Sequence, residues 1–261
     1  MRWSGLAWMV LCACNAAGDR AAASPRGSAP ASEATRGPGV TATTAAGPIV
    51  LELFTSQGCS SCPPADDLLS EVGAAGQVAD RPVVPLAFHV DYWDDLGWAD
   101  PFASPRWSAR QHGYARTLRE ARVYTPQLVV GGAAHLVGSD QRRLLAAVRA
   151  AAAPEPLRAS ARWTTEAVQI QVELSGSPTG ELWAALWQDR LTTDVPRGEN
   201  RGQRLRGDHV VRQLVAVREG TARIALEPGW RAGGPLGVVV FAQHGQGAIT
   251  ASAALPAPAS P

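Results

Sequence analysis

The 261-residue chain has no lysine, and all 24 of its basic side chains are arginines. That bias fits GC-rich coding and bears on origin rather than function. An excess of charge is also missing: 23 acidic residues leave a formal net charge of +1 and an isoelectric point near 7.8. A near-neutral chain builds no long-range field for a polyanion, so nothing points to nucleic acid as a partner. No G-x-G-x-x-G follows a strand-like run and no P-loop is present, so no nucleotide or flavin cofactor is expected. No apolar stretch reaches the ~20 residues that a membrane-crossing helix needs. Cysteine is scarce: Cys12, Cys14, Cys59 and Cys62 are the whole set.

What is present begins with an export signal. Met1-Arg2-Trp3 makes a short positive start, and Leu6-Ala7-Trp8-Met9-Val10-Leu11 is an apolar run too short to span a bilayer. Leu11-Cys12-Ala13-Cys14 resembles the bacterial lipobox, in which the last cysteine is lipidated and becomes the new N-terminus. The alternative is ordinary cleavage at a neighbouring Ala-rich site. Residues 1–18 are therefore read as a signal peptide, with Cys14 the candidate lipidation site. The protein is expected in the periplasm or anchored at the outer membrane, or else secreted, and a lipid on Cys14 is its one expected tie to a membrane. Residues 19–47 are almost entirely Ala, Gly, Ser, Thr and Pro with scattered charges, too apolar-poor to offset the entropy of ordering. They are predicted to be a disordered linker, and residues 253–261 a flexible tail.

Residues 48–154 carry a strand, helix, strand, helix, strand, strand, helix pattern. The first strand is 49–54 and the first helix opens at Pro63 or Pro64, a favoured place for proline. Residues 83–89 form a second buried strand, followed by a helix around 104–122. Strands at 127–130 and 135–137 flank Gly131-Gly132, and Ser139-Asp140 caps a last helix. Residues 155–252 change character: Val168-Gln169-Ile170-Gln171-Val172-Glu173-Leu174 alternates strictly, and similar runs recur at 181–187, 210–217, 222–226 and 237–243. That pattern predicts a separate, small all-β, sandwich-like domain.

Cys59-Ser60-Ser61-Cys62 stands at the turn between the first strand and first helix. The orphan N–H groups and the dipole of a helix N-terminus favour an anion there, so a thiolate is stabilised. With the other cysteines in the signal segment, this pair answers to itself or to a ligand. So short a loop closes little chain entropy, which makes stability a poor reason for a disulfide.

With Thr125-Pro126 just before the strand 127–130, the C-S-S-C turn resembles the thioredoxin fold. Thioredoxin-like proteins keep a cis-proline facing the cysteines at that position. A closer resemblance is to exported bacterial proteins grouped as domain of unknown function 1223. It is carried by residues 52–66 (ELFTSQGCSSCPPAD), His89-Val90-Asp91-Tyr92-Trp93-Asp94, Leu96-Gly97-Trp98, Asp100-Pro101-Phe102, Arg110-Gln111, Tyr114, Val123-Tyr124-Thr125-Pro126-Gln127 and Gly198-Glu199-Asn200-Arg201-Gly202. This resemblance implies an α/β thioredoxin-like domain followed by the all-β domain, and supplies no activity.

The thioredoxin resemblance implies Cys59 as an exposed nucleophile and Cys62 as the resolving thiol one turn deeper. The Ser-Ser dipeptide offers hydroxyls but no cation, so a thiol pKa nearer ~7 than ~3.5 is expected. The tryptophan that often precedes the first cysteine is Gly58 here. An acid on the first strand of such proteins lies beneath the resolving cysteine as its base, and Glu52 is the candidate; a solvated Glu52 is the alternative. Thr125 and Pro126, with Tyr124, Gln127, His89, Asp91, Trp93 and Gln111, are candidate substrate-binding residues. The alternative for His89 and Asp91 is a packed loop around a core histidine. Residues 198–202 read as a structured loop or interdomain contact rather than a catalytic site.

Three functions follow. The first is an extracytoplasmic thiol–disulfide oxidoreductase acting on protein thiols or disulfides, with electrons from a membrane redox partner. The second is a Cu(I)-binding delivery protein using Cys59, Cys62 and His89. The third is a non-catalytic partner-binding module.

Overall fold

The computed structural model describes residues 39–42, 46–173 and 179–256. The expected signal peptide with Cys12 and Cys14, most of the expected linker, Leu174 and the last residues of the expected tail lie outside them. Among the described residues no helix is long and apolar enough to cross a membrane.

The first element corrects the linker expectation. Strand β1 (Gly39–Ala42) pairs antiparallel with residues 159–162, so backbone hydrogen bonding to a sheet edge orders it despite its apolar-poor composition. Strand β2 (Ile49–Thr55) is buried along its whole length, as a central strand covered on both faces must be. Helix α1 (Pro63–Ala75) starts directly after Cys62 and stops at Gly76, whose φ of 63° is the left-handed geometry that ends helices. Short β3 (Gln77–Val78) turns into β4 (Arg81–His89). After a 3₁₀ turn at Asp94–Leu96 comes α2 (Pro105–Thr117), where the Ser104 hydroxyl accepts from the Arg106 N–H. Strands β5 (Gln127–Val130) and β6 (Ala134–Val137) form a hairpin, and the Asp140 carboxylate caps α3 (Gln141–Ala150) by accepting from the Arg143 N–H.

The second half is almost all strand. It contains β7 (Glu155–Pro156), β8 (Arg158–Trp163), β9 (Ala167–Glu173), β10 (Glu181–Gln188), β11 (Leu191–Asp194), β12 (Arg204–Gly207), β13 (Val210–Ala216) and β14 (Thr221–Ala225). A four-residue α4 (Trp230–Gly233) then precedes β15 (Leu236–Gln243) and β16 (Ile249–Pro256). β16 pairs along its length with β15 and buries Ala253 and Leu255, so the expected tail is instead an ordered strand through Pro256.

The result is a mixed α/β fold with several sheets. The main sheet has ten strands in the order β6-β5-β2-β4-β13-β10-β15-β16-β7, with β3 beside β4. A four-stranded sheet, β1-β8-β9-β14, and the isolated hairpin β11-β12 complete it. The division expected at residue 155 is not a boundary between sheets: β13 enters in parallel beside β4, through Val210 opposite Ala87 and the Ala87 N–H donated to the His209 carbonyl at 2.8 Å. Docking there covers part of the edge that β4 would otherwise leave open. One hydrophobic cluster likewise draws Phe54, Phe88, Trp107 and Tyr114 together with Val211, Leu214, Val239 and Phe241.

Candidate functional site

β2 runs out into Ser56-Gln57-Gly58 and then the four residues of the C-S-S-C turn. The Cys59 N–H donates to the Ser56 carbonyl at 3.1 Å, and the Cys62 N–H to the Cys59 carbonyl at 3.2 Å. Cys62 is the N-cap of α1, and its carbonyl accepts from Ala65 and Asp66. Cys59 and Cys62 are joined as a disulfide, their Cα atoms 5.5 Å apart. The expectation of an exposed nucleophile is corrected: Cys59 is 1% exposed and Cys62 fully buried. Loops from three other parts of the chain close over the turn.

One is the Thr125–Pro126 loop, whose peptide bond is cis. The Thr125 hydroxyl donates to the Cys59 sulfur at 3.3 Å, and the Ser61 hydroxyl stands at the same distance from that sulfur. The second is the segment after β4. The Trp93 Nε1–H donates to the Thr125 hydroxyl at 2.8 Å, so indole, hydroxyl and sulfur form a chain. A Cβ on Gly58 would lie 3.0 Å from the Trp93 Cβ, which explains glycine before the first cysteine: Trp93 closes over that spot. Gln57 is fixed by its backbone N–H donating to Asp100 at 2.8 Å and by the Trp98 indole donating to its side-chain Oε1 at 3.2 Å.

The third loop is 198–202, between β11 and β12. Asn200 is buried, and its carboxamide donates to the carbonyls of Gln57 at 2.9 Å and Cys59 at 3.0 Å. The Glu199 carboxylate accepts from the Ser60 N–H at 3.0 Å, and its hydrogen bonds with Ser60 lower its pKa. The sequence of residues 198–202 is that of a structured loop or interdomain contact, and nothing local in it says that the contact is with the cysteines.

Near the turn lie three ionisable groups. His89 Nδ1 is 2.6 Å from an Asp100 oxygen, both groups buried. Burial opposes charge on His89, yet Asp100 and Asp66 outweigh it and raise its pKa. Burial likewise opposes charge on Asp100, but His89 and the N–H groups of Gln57 and Phe102 hold its pKa low. Asp66, half-buried one turn along α1 from Cys62, is pushed up from 3.8 to about 7 by burial, only partly offset by His89 and the Thr55 hydroxyl. Asp66 and Asp100 were missed as site residues; an acid in a first helical turn reads as ordinary dipole complementarity.

Glu52 does not sit beneath Cys62, and its expected role as base is corrected. Leu51 and Leu53 face α1, whereas Glu52 shares the other face with Val50 and Phe54, toward α2. There Arg110 donates to it at 2.8 Å, the Tyr114 hydroxyl bonds its second oxygen, and Gln243 of β15 joins both partners. Burial and Glu52 raise the Tyr114 pKa, while Glu52 holds Arg110 charged against its burial.

Gln111 donates to the Tyr124 carbonyl at 2.8 Å and to Gln127 at 2.9 Å, and accepts from Tyr92 at 3.2 Å. The Tyr124 hydroxyl bonds His135 at 2.9 Å. These residues support the Thr125 loop from behind. Asp91 bonds Ser108 and so secures α2, away from the sulfurs. Among the described residues no three His, Cys, Asp or Glu side chains are grouped to hold a metal ion. Cys59, Cys62 and His89, the alternative set, are accordingly not grouped as one.

The family model described as "Protein of unknown function (DUF1223)" matches residues 50–243. The crystal structure of protein AGR_C_4864 from Agrobacterium tumefaciens is 30% identical with a TM-score of 0.61, over 84% of this chain and 98% of that one. The structure of HBP35 of Porphyromonas gingivalis is 14% identical with a TM-score of 0.50, over 81% of this chain and 75% of that one, a likeness of fold alone. No curated protein matches the sequence.

Proposed function

We propose, for a chain that belongs to the DUF1223 family of proteins of unknown function, the work of a thiol–disulfide oxidoreductase on a thioredoxin-like framework. The observation that carries this reading is the Cys59 sulfur, bonded to the N-cap cysteine of α1 and met by the Thr125 hydroxyl at 3.3 Å. Helix start and hydroxyl both stabilise a thiolate at Cys59. The signal-like N-terminus supports an exported protein, released after cleavage or held by a lipid on Cys14, in a compartment where disulfides persist.

The exchange is balanced within thiol chemistry. A substrate thiolate attacks the Cys59 sulfur, the Cys59–Cys62 bond breaks, and Cys62 leaves with the electron pair and takes a proton. A second thiolate of the same substrate attacks the mixed disulfide, releasing an oxidised dithiol and a reduced protein; the reverse sequence reduces a substrate disulfide. Asp66 is the group we assign to exchange that proton with Cys62. A carboxyl with a pKa of about 7 populates both of its forms at neutral pH.

A Cys62→Ser variant tests the reading, since it leaves a mixed disulfide on Cys59 with nothing to resolve it. Incubation with a disulfide-containing peptide should give a stoichiometric, reductant-sensitive mass adduct on Cys59. Absence of the adduct in a folded, reduced variant would remove the proposed function.

A further inference from the structure

The tip of the β11–β12 hairpin is hydrogen-bonded to the C-S-S-C turn, and its Gly198 lies against Gly97 and Trp98. Asn200 supplies donors to the carbonyls of Gln57 and Cys59, and Glu199 an acceptor to the Ser60 N–H. A further bond joins Gln57 Nε2 to the Thr193 hydroxyl on β11 at 3.0 Å. Of residues 195–203 just Val195 and Asn200 are buried. The tip is closed on itself, with the Val195 N–H donated to the Gln203 carbonyl and the Gly202 N–H to the Val195 carbonyl. Gly198 and Gly202, at φ of 78° and 79°, permit its tight path.

The hairpin is a two-stranded sheet of four residue pairs outside both larger sheets. Two strands alone are marginally stable, and although β12 packs on α1 this pair joins neither larger sheet, so it opens at lower cost than the strands of those sheets. By contrast, the Thr125 loop is held by buried Gln111 on α2, and Trp93 packs against the central cluster. With Cys59 1% exposed, no thiolate reaches its sulfur along the S–S axis unless something moves.

We infer that the tip 198–202 is a gate occupying the substrate position, displaced when a cysteine on an extended peptide segment docks. The inference rests on the oxidoreductase reading and names the substrate form and regulation of that same site. The groups the tip satisfies are two carbonyls and one N–H of main chain. A peptide backbone offers the matching donors and acceptor, and so replaces the tip without leaving them unpaired.

The test compares the wild-type protein with Asn200→Asp, which keeps shape but turns the two donors into acceptors facing carbonyls, and with Glu199→Ala at an exposed position. The readout is the rate at which an unstructured dithiol peptide, and separately tris(2-carboxyethyl)phosphine, reduces the Cys59–Cys62 disulfide. Asn200→Asp should accelerate phosphine reduction by about tenfold or more, as loss of two hydrogen bonds implies. Glu199→Ala should accelerate it by about threefold. The equilibrium constant against glutathione should stay within about threefold, since a gate changes access rather than the couple. Equal rates in all three folded proteins would overturn the gate while leaving the oxidoreductase reading standing. Faster phosphine reduction in the variants, with no oxidation of the dithiol peptide by any of the three proteins, would support the gate and overturn the reading.

Discussion

Thr125 donates its hydroxyl hydrogen to the Cys59 sulfur at 3.3 Å while accepting from the Trp93 indole at 2.8 Å. A hydrogen bond to a sulfur that becomes a thiolate is worth more to the charged form than to the neutral one. Thr125→Val keeps the shape and removes the donor. The Cys59 thiol pKa, read from the pH dependence of alkylation of reduced protein, should rise by about one unit. An unchanged alkylation profile would deny the hydroxyl a role in the thiolate.

Asp66 gives a pH dependence with a definite sign. Its folded pKa of about 7 lies above the ordinary 3.8, so the folded state holds a proton that the unfolded chain releases. The contribution to stability is fully present below about 3.8 and is lost as pH rises through about 7. His89 favours its charge, while Asp100 and Asp67 oppose it. Asp66→Asn removes this loss. Melting temperatures of the variant relative to wild type should therefore improve progressively between pH 4 and 7 and level off above. A difference independent of pH would show that Asp66 titrates normally.

The same substitution separates chemistry from stability. In Asp66→Asn, resolution of a preformed mixed disulfide by Cys62 should slow on the order of 10²-fold, with attack by the Cys59 thiolate on a substrate disulfide little changed. Equal slowing of both steps would point to disturbed packing instead of proton transfer.

Glu52 should behave in the opposite way. Glu52→Gln leaves Arg110 charged and buried without its partner, so chemical denaturation should show a loss of about 3–5 kcal/mol. Resolution by Cys62 should keep its wild-type rate. A stable Glu52→Gln protein with slowed resolution would restore Glu52 as the base.

How far the site was legible follows from these residues. The C-S-S-C turn and the strands and helices beside it could be read because their signals are local: an apolar run, a proline at a helix start, a period. The parity of β2 put Glu52 with Val50 and Phe54, but which face α1 covers is a tertiary fact, and the base assignment failed there. The raised pKa of Asp66 comes first from burial, with His89 opposing it and Asp100 adding to it, and both of these neighbours arrive from other segments. Asn200 meets Cys59 across 141 positions, and β13 meets β4 from the other half of the chain, so neither the gate nor the continuous sheet leaves a local pattern.

The central claim is that the Cys59–Cys62 disulfide is a reversible redox couple, and a redox titration tests it most directly. Full-length protein is equilibrated anaerobically against graded dithiothreitol or glutathione ratios, and the thiols are trapped and counted. The expected result is a single two-electron transition between about −270 and −120 mV, the span of working dithiol catalysts. A disulfide still intact below about −300 mV would mark a structural staple and contradict the account.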